Sequence, residues 1–178
     1  LLGILAYKSG RINDAIRVLQ KARDSAKKPE DKERIGFLLG VVLFEAQRFD
    51  DSRDAFMTLL KDDPKSGYKD DAEYRIALTY FFQNDSAKAN KAFREYIAGN
   101  PKGQYVVDAT YRLAFILYQA GVTGQAGGDV PRAREMLEKL ATDSPSDTNI
   151  GQVWSLLGDI YSRLQPTETD RTNYTDMA

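Results

Sequence analysis

Small residues recur along the chain at one spacing, each among large apolar residues. Gly3, Gly40, Ala77 and Ala114 lie 37 residues apart, and Gly158 follows after a step of 44. The apolar columns beside them and the prolines between them keep the same steps. Self-similarity at a fixed period of this length is typical of proteins built from stacked repeats. We therefore infer a repeated unit of 37 residues, with one insertion of seven residues.

Each unit contains two amphipathic helices. In the first helix a small residue lies next to large ones at helical spacing, as Gly40 lies near Leu43. In the second helix a small residue precedes large ones by one and two turns, as Ala89 precedes Phe93 and Tyr96. Small residues let two helix axes approach closely, and large residues of the neighbour fill the remaining space. The pattern predicts an all-α fold of antiparallel helix pairs, with nine helices and no strand.

The same columns predict where the repeats begin and end. The predicted array covers 1–164, and its parts are four repeats at about 1–29, 33–66, 70–103 and 107–146, an insertion loop at 122–128, and a capping helix at 148–164. Residues 165–178 have little apolar periodicity and are interpreted as a polar tail or linker. The first helix starts within its pattern, so we expect the chain to be part of a longer protein.

Composition narrows the chemistry that the chain can perform. It has 25 Lys and Arg against 26 Asp and Glu, and it has no His and no Cys. The last two absences remove thiol and imidazole nucleophiles, the usual general base and almost every zinc site. Binding to nucleic acid normally needs a basic surface, and no run of about 18 apolar residues could span a membrane. The sequence therefore predicts no catalytic residue, no metal, no cofactor, no nucleic-acid partner and no membrane span.

One stretch has the form of a known repeat signature. Residues 154–161 read Trp-x-x-Leu-Gly-x-x-Tyr, which resembles the first helix of a tetratricopeptide repeat. The pair Ala55-Phe56, followed by Pro64, resembles the second helix of the same repeat. The resemblance implies a right-handed α-solenoid of about four repeats, whose concave groove binds peptides or proteins.

The linkers between the repeats are longer than is common in that family. Residues 64–75 and 101–112 both read Pro-Lys-x-x-Tyr-x-x-Asp-Ala-x-Tyr-Arg, and this segment holds the three residues beyond the usual period of 34. The extended form resembles the repeats of bacterial cell-envelope proteins, such as outer-membrane assembly lipoproteins and the accessory protein of the Tol–Pal system. It implies a protein of the bacterial envelope or periplasm, with the cytoplasm as the alternative.

The family places its concave surface mainly on the first helix of each pair. Laid onto this chain, that pattern puts ten residues on or beside the groove: Tyr7, Phe37, Val41, Phe44, Tyr74, Leu78, Phe81, Tyr111, Phe115 and Tyr118. The alternative is that aromatic residues at helical spacing are simply core. Residues 109–120 are apolar on nearly every side, more than one packing stripe needs, and this surplus favours a binding surface.

Two arginines lie beside these positions. Arg75 and Arg112 each follow an aspartate by four residues, Asp71 and Asp108, which predicts ion pairs within a helix. The alternative is that both arginines line the groove edge and bind acidic groups.

These patterns together predict a non-catalytic scaffold that binds a peptide or another protein in its groove. A self-associating structural module, which would form a homo-oligomer, and an RNA-binding helical repeat are the alternatives.

Overall fold

The computed structural model describes residues 10–163, and within that range it has eight helices and no strand. In chain order they are α1 (Ile12–Ser25), α2 (Pro29–Glu45), α3 (Phe49–Asp62), α4 (Lys69–Phe82), α5 (Ser86–Gly99), α6 (Val106–Val122), α7 (Val130–Asp143) and α8 (Ile150–Arg163). The all-α fold class is confirmed. The helix predicted at the start of the chain and the tail 165–178 lie outside the described residues.

The chain divides into two compact units, 1–105 and 106–178. In the first unit each of the helices α1 to α4 packs on the next one along the chain, and the short connections make neighbours antiparallel. In the second unit α6 packs on α7 and α7 packs on α8. The described helices of each unit thus form a row of consecutive helices, as a helical-repeat solenoid requires.

The small residue of the first helix allows its pair to cross closely. A Cβ atom added to Gly40 would lie 2.5 Å from the ring of Phe56, which α3 buries completely against it. The hydroxyl of Ser52 also donates a hydrogen bond of 2.8 Å to the carbonyl of Gly40. At Gly158 in α8 the added atom would have no neighbour within 4 Å, because no second helix packs there in the described part of the chain.

Each of the first two long linkers is tied back to the repeat before it by a carboxylate. Glu33 accepts hydrogen bonds from the hydroxyl of Ser66, at 2.6 Å, and from the backbone N–H of Gly67, at 3.1 Å. One repeat later, Asp70 accepts from the backbone N–H of Gln104 at 3.2 Å. We call these contacts the linker ties, and each holds its linker against the first helix of the preceding repeat.

A tyrosine in each of these linkers covers an aromatic residue of the preceding first helix. Tyr68 stacks on Phe37 with ring centroids 4.4 Å apart and planes at 15°. Tyr105 stacks on Tyr74 at 4.4 Å and 8°. The tyrosine of the repeated Pro-Lys-x-x-Tyr motif is therefore a packing residue of the linker.

The inserted loop begins one residue later than the sequence predicts. Val122 belongs to α6, because the backbone hydrogen bonds of that helix continue to the N–H of Thr123, which donates to the carbonyl of Gln119. The far end of the loop is packed rather than free. A Cβ atom on Gly128 would lie 2.1 Å from the backbone nitrogen of Gly121, so the loop returns directly against the end of α6.

Candidate functional site

Three of the ten predicted groove residues are buried, and for them the prediction of an exposed binding surface is wrong. Tyr74 and Tyr118 are 6% and 3% exposed, and Leu78 is buried as well. The ring of Tyr74 is covered by Tyr105 and also contacts Tyr96, with centroids 5.6 Å apart. These side chains belong to the core of their units and offer almost no surface to a partner.

Six of the other predicted residues keep part of their surface: Phe37, Val41, Phe44, Phe81, Tyr111 and Phe115. Phe37 and Val41 are half-buried because they pack against the core around Phe56. Tyr7 lies outside the described residues. The groove prediction remains open for these positions.

The apolar surplus of α6 is used largely within its own unit. Seven residues of this helix are buried: Ala109, Leu113, Ala114, Ile116, Leu117, Tyr118 and Ala120. Their burial corrects the argument that the surplus must face a partner, because a helix that packs on more than one side needs apolar residues on more than one face.

Four phenylalanines lie together in the first unit, and we call them the phenylalanine cluster: Phe44, Phe49, Phe81 and Phe82. The ring of Phe44 lies 5.5 Å from that of Phe49 and 5.7 Å from that of Phe82, both edge to face. Phe49 and Phe82 stack at 6.0 Å, and Phe81 meets Phe82 at 5.6 Å. The cluster joins the C-terminal ends of α2 and α4 with the N-terminal end of α3.

The cluster contains the most exposed phenylalanine of the described chain, and the sequence prediction missed it. Phe82 is 48% exposed. The residues at the same position of the neighbouring repeats are Glu45 and Gln119, and Phe49 likewise corresponds to Ser86. The repeat fold therefore does not need an aromatic residue at either place. A comparison of these columns could have found both residues, whereas a search for helical periodicity could not.

The two predicted arginines form the ion pairs that their spacing predicts. Arg75 donates to Asp71 and Arg112 to Asp108, both at 2.5 Å, and the side chains are about a quarter exposed or less. The guanidinium of Arg75 also lies 6.0 Å from the ring centroid of Phe44. Arg75 is therefore a neutralised charge at the edge of the phenylalanine cluster, and its part in binding stays a prediction.

A third arginine joins α3 to α4 beside the cluster. Arg53 donates to the hydroxyl of Thr79 and to the amide oxygen of Gln83, both at 2.9 Å, and its guanidinium lies 4.2 Å from the ring centroid of Tyr80. It also pairs with Asp50. The hydrogen bond from Gln83, and after it the charge of Arg53, hold the pKa of Asp50 below its ordinary value. The carboxylate thus stays ionised and keeps Arg53 in place.

Several tyrosines have a raised pKa for structural reasons. Burial is the largest cause at Tyr96, and the hydrogen bond from its hydroxyl to Asp70, at 2.8 Å, is the next. Burial likewise raises the pKa of Tyr111. Both phenols stay protonated at neutral pH, and that of Tyr96 acts as a hydrogen-bond donor to Asp70.

A cleft of the first unit lies between α1, α2 and α3. It has a volume of about 470 Å³, and Arg23, Lys32, Gly36 and Asp62 are among its lining residues. Lys32 and Asp62 pair across it at 3.2 Å. Gly36 stands in this cleft where the next repeat has Glu73, and the pair of Lys32 with Asp62 neutralises two of the charges that line it.

None of the helices within residues 10–163 is both long and apolar enough to cross a membrane.

Comparison with known families gives two matches, both to models described as tetratricopeptide repeat. One covers residues 1–67, and the other covers 71–103 and 108–147. No curated protein matches the sequence.

Solved structures give likenesses in fold. MamA from Desulfovibrio magneticus RS-1, from its residue 41 to its end, is 19% identical with a TM-score of 0.66, covering 98% of this chain and 88% of that one. A kinesin light chain of Podosopora anserina with nearly identical TPR-like repeats is 13% identical with a TM-score of 0.67, covering 90% and 82%. BtubC from P. vanneervenii is 19% identical with a TM-score of 0.61, covering 90% and 69%. At these identities the likeness concerns the fold alone.

Proposed function

Since the chain belongs to the tetratricopeptide repeat family, we propose that it is a non-catalytic scaffold that binds a segment of another protein on the first helices of its repeats. The family fold supports a role in protein–protein interaction. The binding surface and the chemistry of the partner are the parts that we add.

The observation that carries the proposal is the exposure of Phe82 within the phenylalanine cluster. A half-exposed ring that contacts other rings leaves apolar surface in water, and such patches mark interaction sites when the fold does not require them. Glu45 and Gln119 at the same repeat position indicate that the fold does not require it. Interface anchors are commonly aromatic side chains that a partner desolvates.

The surroundings of the cluster favour an apolar or aromatic segment over a highly charged one. Three arginines on the same helices as the cluster or next to them in sequence are all paired: Arg48 with Asp51, Arg53 with Asp50 and Arg75 with Asp71. Binding of a strongly acidic segment would have to displace these carboxylates. An apolar segment would cover the rings and leave the ion pairs at a solvated rim, as in ordinary interfaces.

A location in the bacterial cell envelope belongs to the same proposal. It rests on the resemblance of the extended linkers to envelope repeats, and cell fractionation with an antibody to the chain tests it. Recovery of the chain with cytoplasmic markers would remove this part and leave the binding proposal untouched.

The test of binding uses substitutions that the chain itself provides. In the double variant F49S/F82Q, both aromatic residues take the identity found at the same position of another repeat, Ser86 and Gln119. We expect the variant to stay folded with a loss of about 0.5–3 kcal/mol in the free energy of unfolding, because Phe49 is half-buried and its ring contacts are removed. Affinity for a partner captured from the native cell should fall by about tenfold or more, as for aromatic anchors.

A matched control removes an exposed apolar residue elsewhere. Met57 on α3 is exposed and corresponds to Arg94 of the next repeat, so M57R makes an equivalent change away from the cluster. We expect M57R to bind the captured partner like the unaltered chain. Full binding by F49S/F82Q would refute the assignment of the cluster. Light scattering on both variants shows whether a second copy of the chain is the molecule that covers the cluster.

A further inference from the structure

The cleft between α1, α2 and α3 lies at a place that side chains fill in the next repeat. We call it the Gly36 cleft, and four of the residues that line it are Glu33, Gly36, Leu59 and Asp63. The residues 37 positions later are, in the same order, Asp70, Glu73, Tyr96 and Asn100. The two places can therefore be compared position by position.

In the next repeat an aromatic ring and a hydrogen-bonded pair occupy this place. The side-chain amide of Asn100 donates to the carboxylate of Glu73 at 2.7 Å. Tyr96 is 2% exposed, and its hydroxyl donates to Asp70 at 2.8 Å. The pocket that remains beside Glu73 and Tyr96 has a volume of about 260 Å³, against about 470 Å³ for the Gly36 cleft.

The Gly36 cleft keeps a hydrogen bond of that arrangement without its ring. The hydroxyl of Ser66 donates to Glu33 at 2.6 Å, where the phenol of Tyr96 makes the equivalent bond one repeat later. Leu59 stands at the position of Tyr96, and Gly36 has no side chain. Compared with the next repeat, the cleft thus lacks one six-membered ring and one polar side chain.

An arginine lies over the floor of the cleft. A Cβ atom added to Gly36 would lie 3.8 Å from both Cδ and Nε of Arg23, and 3.9 Å from Leu59. The side chain of Arg23 is 22% exposed, and its guanidinium lies 4.0 Å from Asp62. Within residues 10–163 no aromatic ring lies against this guanidinium. Arg23 therefore presents a planar cation to a group that enters the cleft.

The charges around the cleft are equal in number, four cations and four carboxylates, and most of the carboxylates are occupied. Asp62 pairs with Lys32 at 3.2 Å, Glu33 holds a linker tie, and Asp63 accepts a backbone N–H at 2.9 Å. Three lining groups form no ion pair within the described part of the chain: Lys27, Lys28 and Glu30. Two cations against one carboxylate favour an acidic group at the rim over a basic one.

We propose that the Gly36 cleft binds an aromatic side chain of a partner polypeptide, from a segment that has an acidic residue next to the aromatic one. The ring lies against the guanidinium of Arg23, where Tyr96 supplies a ring in the next repeat. The acidic neighbour pairs with Lys27 or Lys28. The inference goes beyond the proposed function, because the cleft lies at the opposite ends of α2 and α3 from the phenylalanine cluster.

The chemistry of the cleft favours a ring over an aliphatic side chain. An aliphatic side chain gains from burial alone, whereas the face of a ring also attracts a guanidinium. A phenyl ring brings no polar atom, and Glu33 is already occupied by the hydroxyl of Ser66. The attraction between ring and cation corresponds to a preference of about threefold for phenylalanine over leucine. The volume of the cleft lies within the range of ordinary ligand sites.

The probe is the synthetic peptide acetyl-Gly-Asp-Phe-Gly-amide. It is titrated into the isotope-labelled full chain, and binding is followed by the NMR shifts of the backbone N–H groups of Gly36 and Lys28. We expect saturable shifts at both residues. A peptide with Leu in place of Phe should bind about threefold more weakly, and one with Ala at least tenfold more weakly. A peptide with Lys in place of Asp should also bind about threefold more weakly.

A first variant closes the cleft with residues that the chain itself provides. The double variant G36E/D63N introduces the pair that Glu73 and Asn100 form in the next repeat. The contacts of an added Cβ at Gly36 are of ordinary length, so the melting temperature should stay within a few degrees of that of the unaltered chain. Binding of the Phe peptide should fall at least tenfold.

A second variant removes only the cation. R23L introduces the residue found at the same position of the next repeat, Leu60. The Phe and Leu peptides should then bind equally, with the shifts still at Gly36. The control is R17L, which makes the same change on α1 at an exposed arginine that does not line the cleft. It should keep the threefold preference for the Phe peptide.

The inference is overturned if the Leu peptide binds the unaltered chain as tightly as the Phe peptide, or if the shifts centre on the phenylalanine cluster. Unchanged binding by G36E/D63N, or an unchanged preference in R23L, would overturn it as well. Its failure is distinct from failure of the scaffold proposal, because F49S/F82Q leaves the cleft intact. That variant should bind the Phe peptide like the unaltered chain even where it no longer binds the captured partner.

Discussion

The stack of Tyr105 on Tyr74 makes a quantitative prediction about stability. Tyr74 is almost fully buried and touches Tyr96 and Phe93 in addition to Tyr105, with ring centroids 5.6 and 6.3 Å away. Replacing it with alanine removes the whole ring from this cluster and leaves a cavity between α4 and the following linker. Truncations of large buried aromatic residues cost about 3–5 kcal/mol of unfolding free energy. That loss is a large part of the stability of an ordinary domain, about 5–15 kcal/mol.

The repeat provides a control at the matching position. Tyr111 is less buried and has no ring stacked on it among the described residues. Its replacement by alanine removes less buried surface, and we expect a cost of about 1–2 kcal/mol at roughly 25 cal/mol per Å² of apolar area. The difference between the two variants therefore measures what the stack and its surroundings contribute.

The assay is urea unfolding followed by far-ultraviolet circular dichroism, with free energies from linear extrapolation. A double-mutant cycle with Tyr74→Ala, Tyr105→Ala and the combined variant isolates the contact between the two rings. We expect a coupling free energy of about 0.5–1.5 kcal/mol, the range for stacked aromatic pairs. Equal losses for the Tyr74 and Tyr111 variants, or a coupling near zero, would show that this stack does not hold the linker.

Three further outcomes follow from individual contacts. Gly40→Ala should cost about 1–3 kcal/mol in a thermal melt, because the added Cβ would overlap the ring of Phe56; an unchanged melt would show that the helix crossing is looser than described. Gly128→Ala should cost a similar amount for the same reason at the end of the inserted loop, and a neutral result would mean that the loop is not packed. The pKa of Tyr96 is raised above the ordinary value of 10.0 by burial and by Asp70. The protonated Tyr96 therefore contributes to the free energy of unfolding fully below about pH 10, and this contribution is lost as the pH rises through the folded-state pKa. In alkaline urea titrations the Tyr96→Phe variant should lose less stability than the unaltered chain; identical pH profiles would contradict this.

The fold could be predicted from the sequence because its cause is local and repeated. A small residue such as Gly40 must recur wherever two helices cross closely, and the spacing of those residues gives the period directly. The ion pairs of Arg75 and Arg112 could be predicted for the same reason, since four residues separate partners on one helix face.

The candidate site could be predicted only in part, because helical spacing shows which residues share a face but not what covers that face. Tyr74 lies on the first-helix face as predicted, and it is buried because Tyr105 reaches it from 31 positions further along the chain. Phe82 was missed for the opposite reason. Its exposure becomes informative only when the polar residues at the same position of the other repeats are set beside it.

The linker ties bear on how this chain can be divided for study. Glu33 holds Ser66 and Gly67, and Asp70 holds Gln104, so each linker takes part of its structure from residues more than 30 positions earlier. A fragment that ends at the proline of a linker lacks the donors that follow this proline. The carboxylate of Glu33 or Asp70 would then lose the hydrogen bonds that it accepts in the intact chain. A fragment that ends after Tyr105 keeps both ties and both ring stacks. The natural places to cut this array therefore lie just before a first helix, and a module exchanged between repeat proteins should carry the complete linker that follows it.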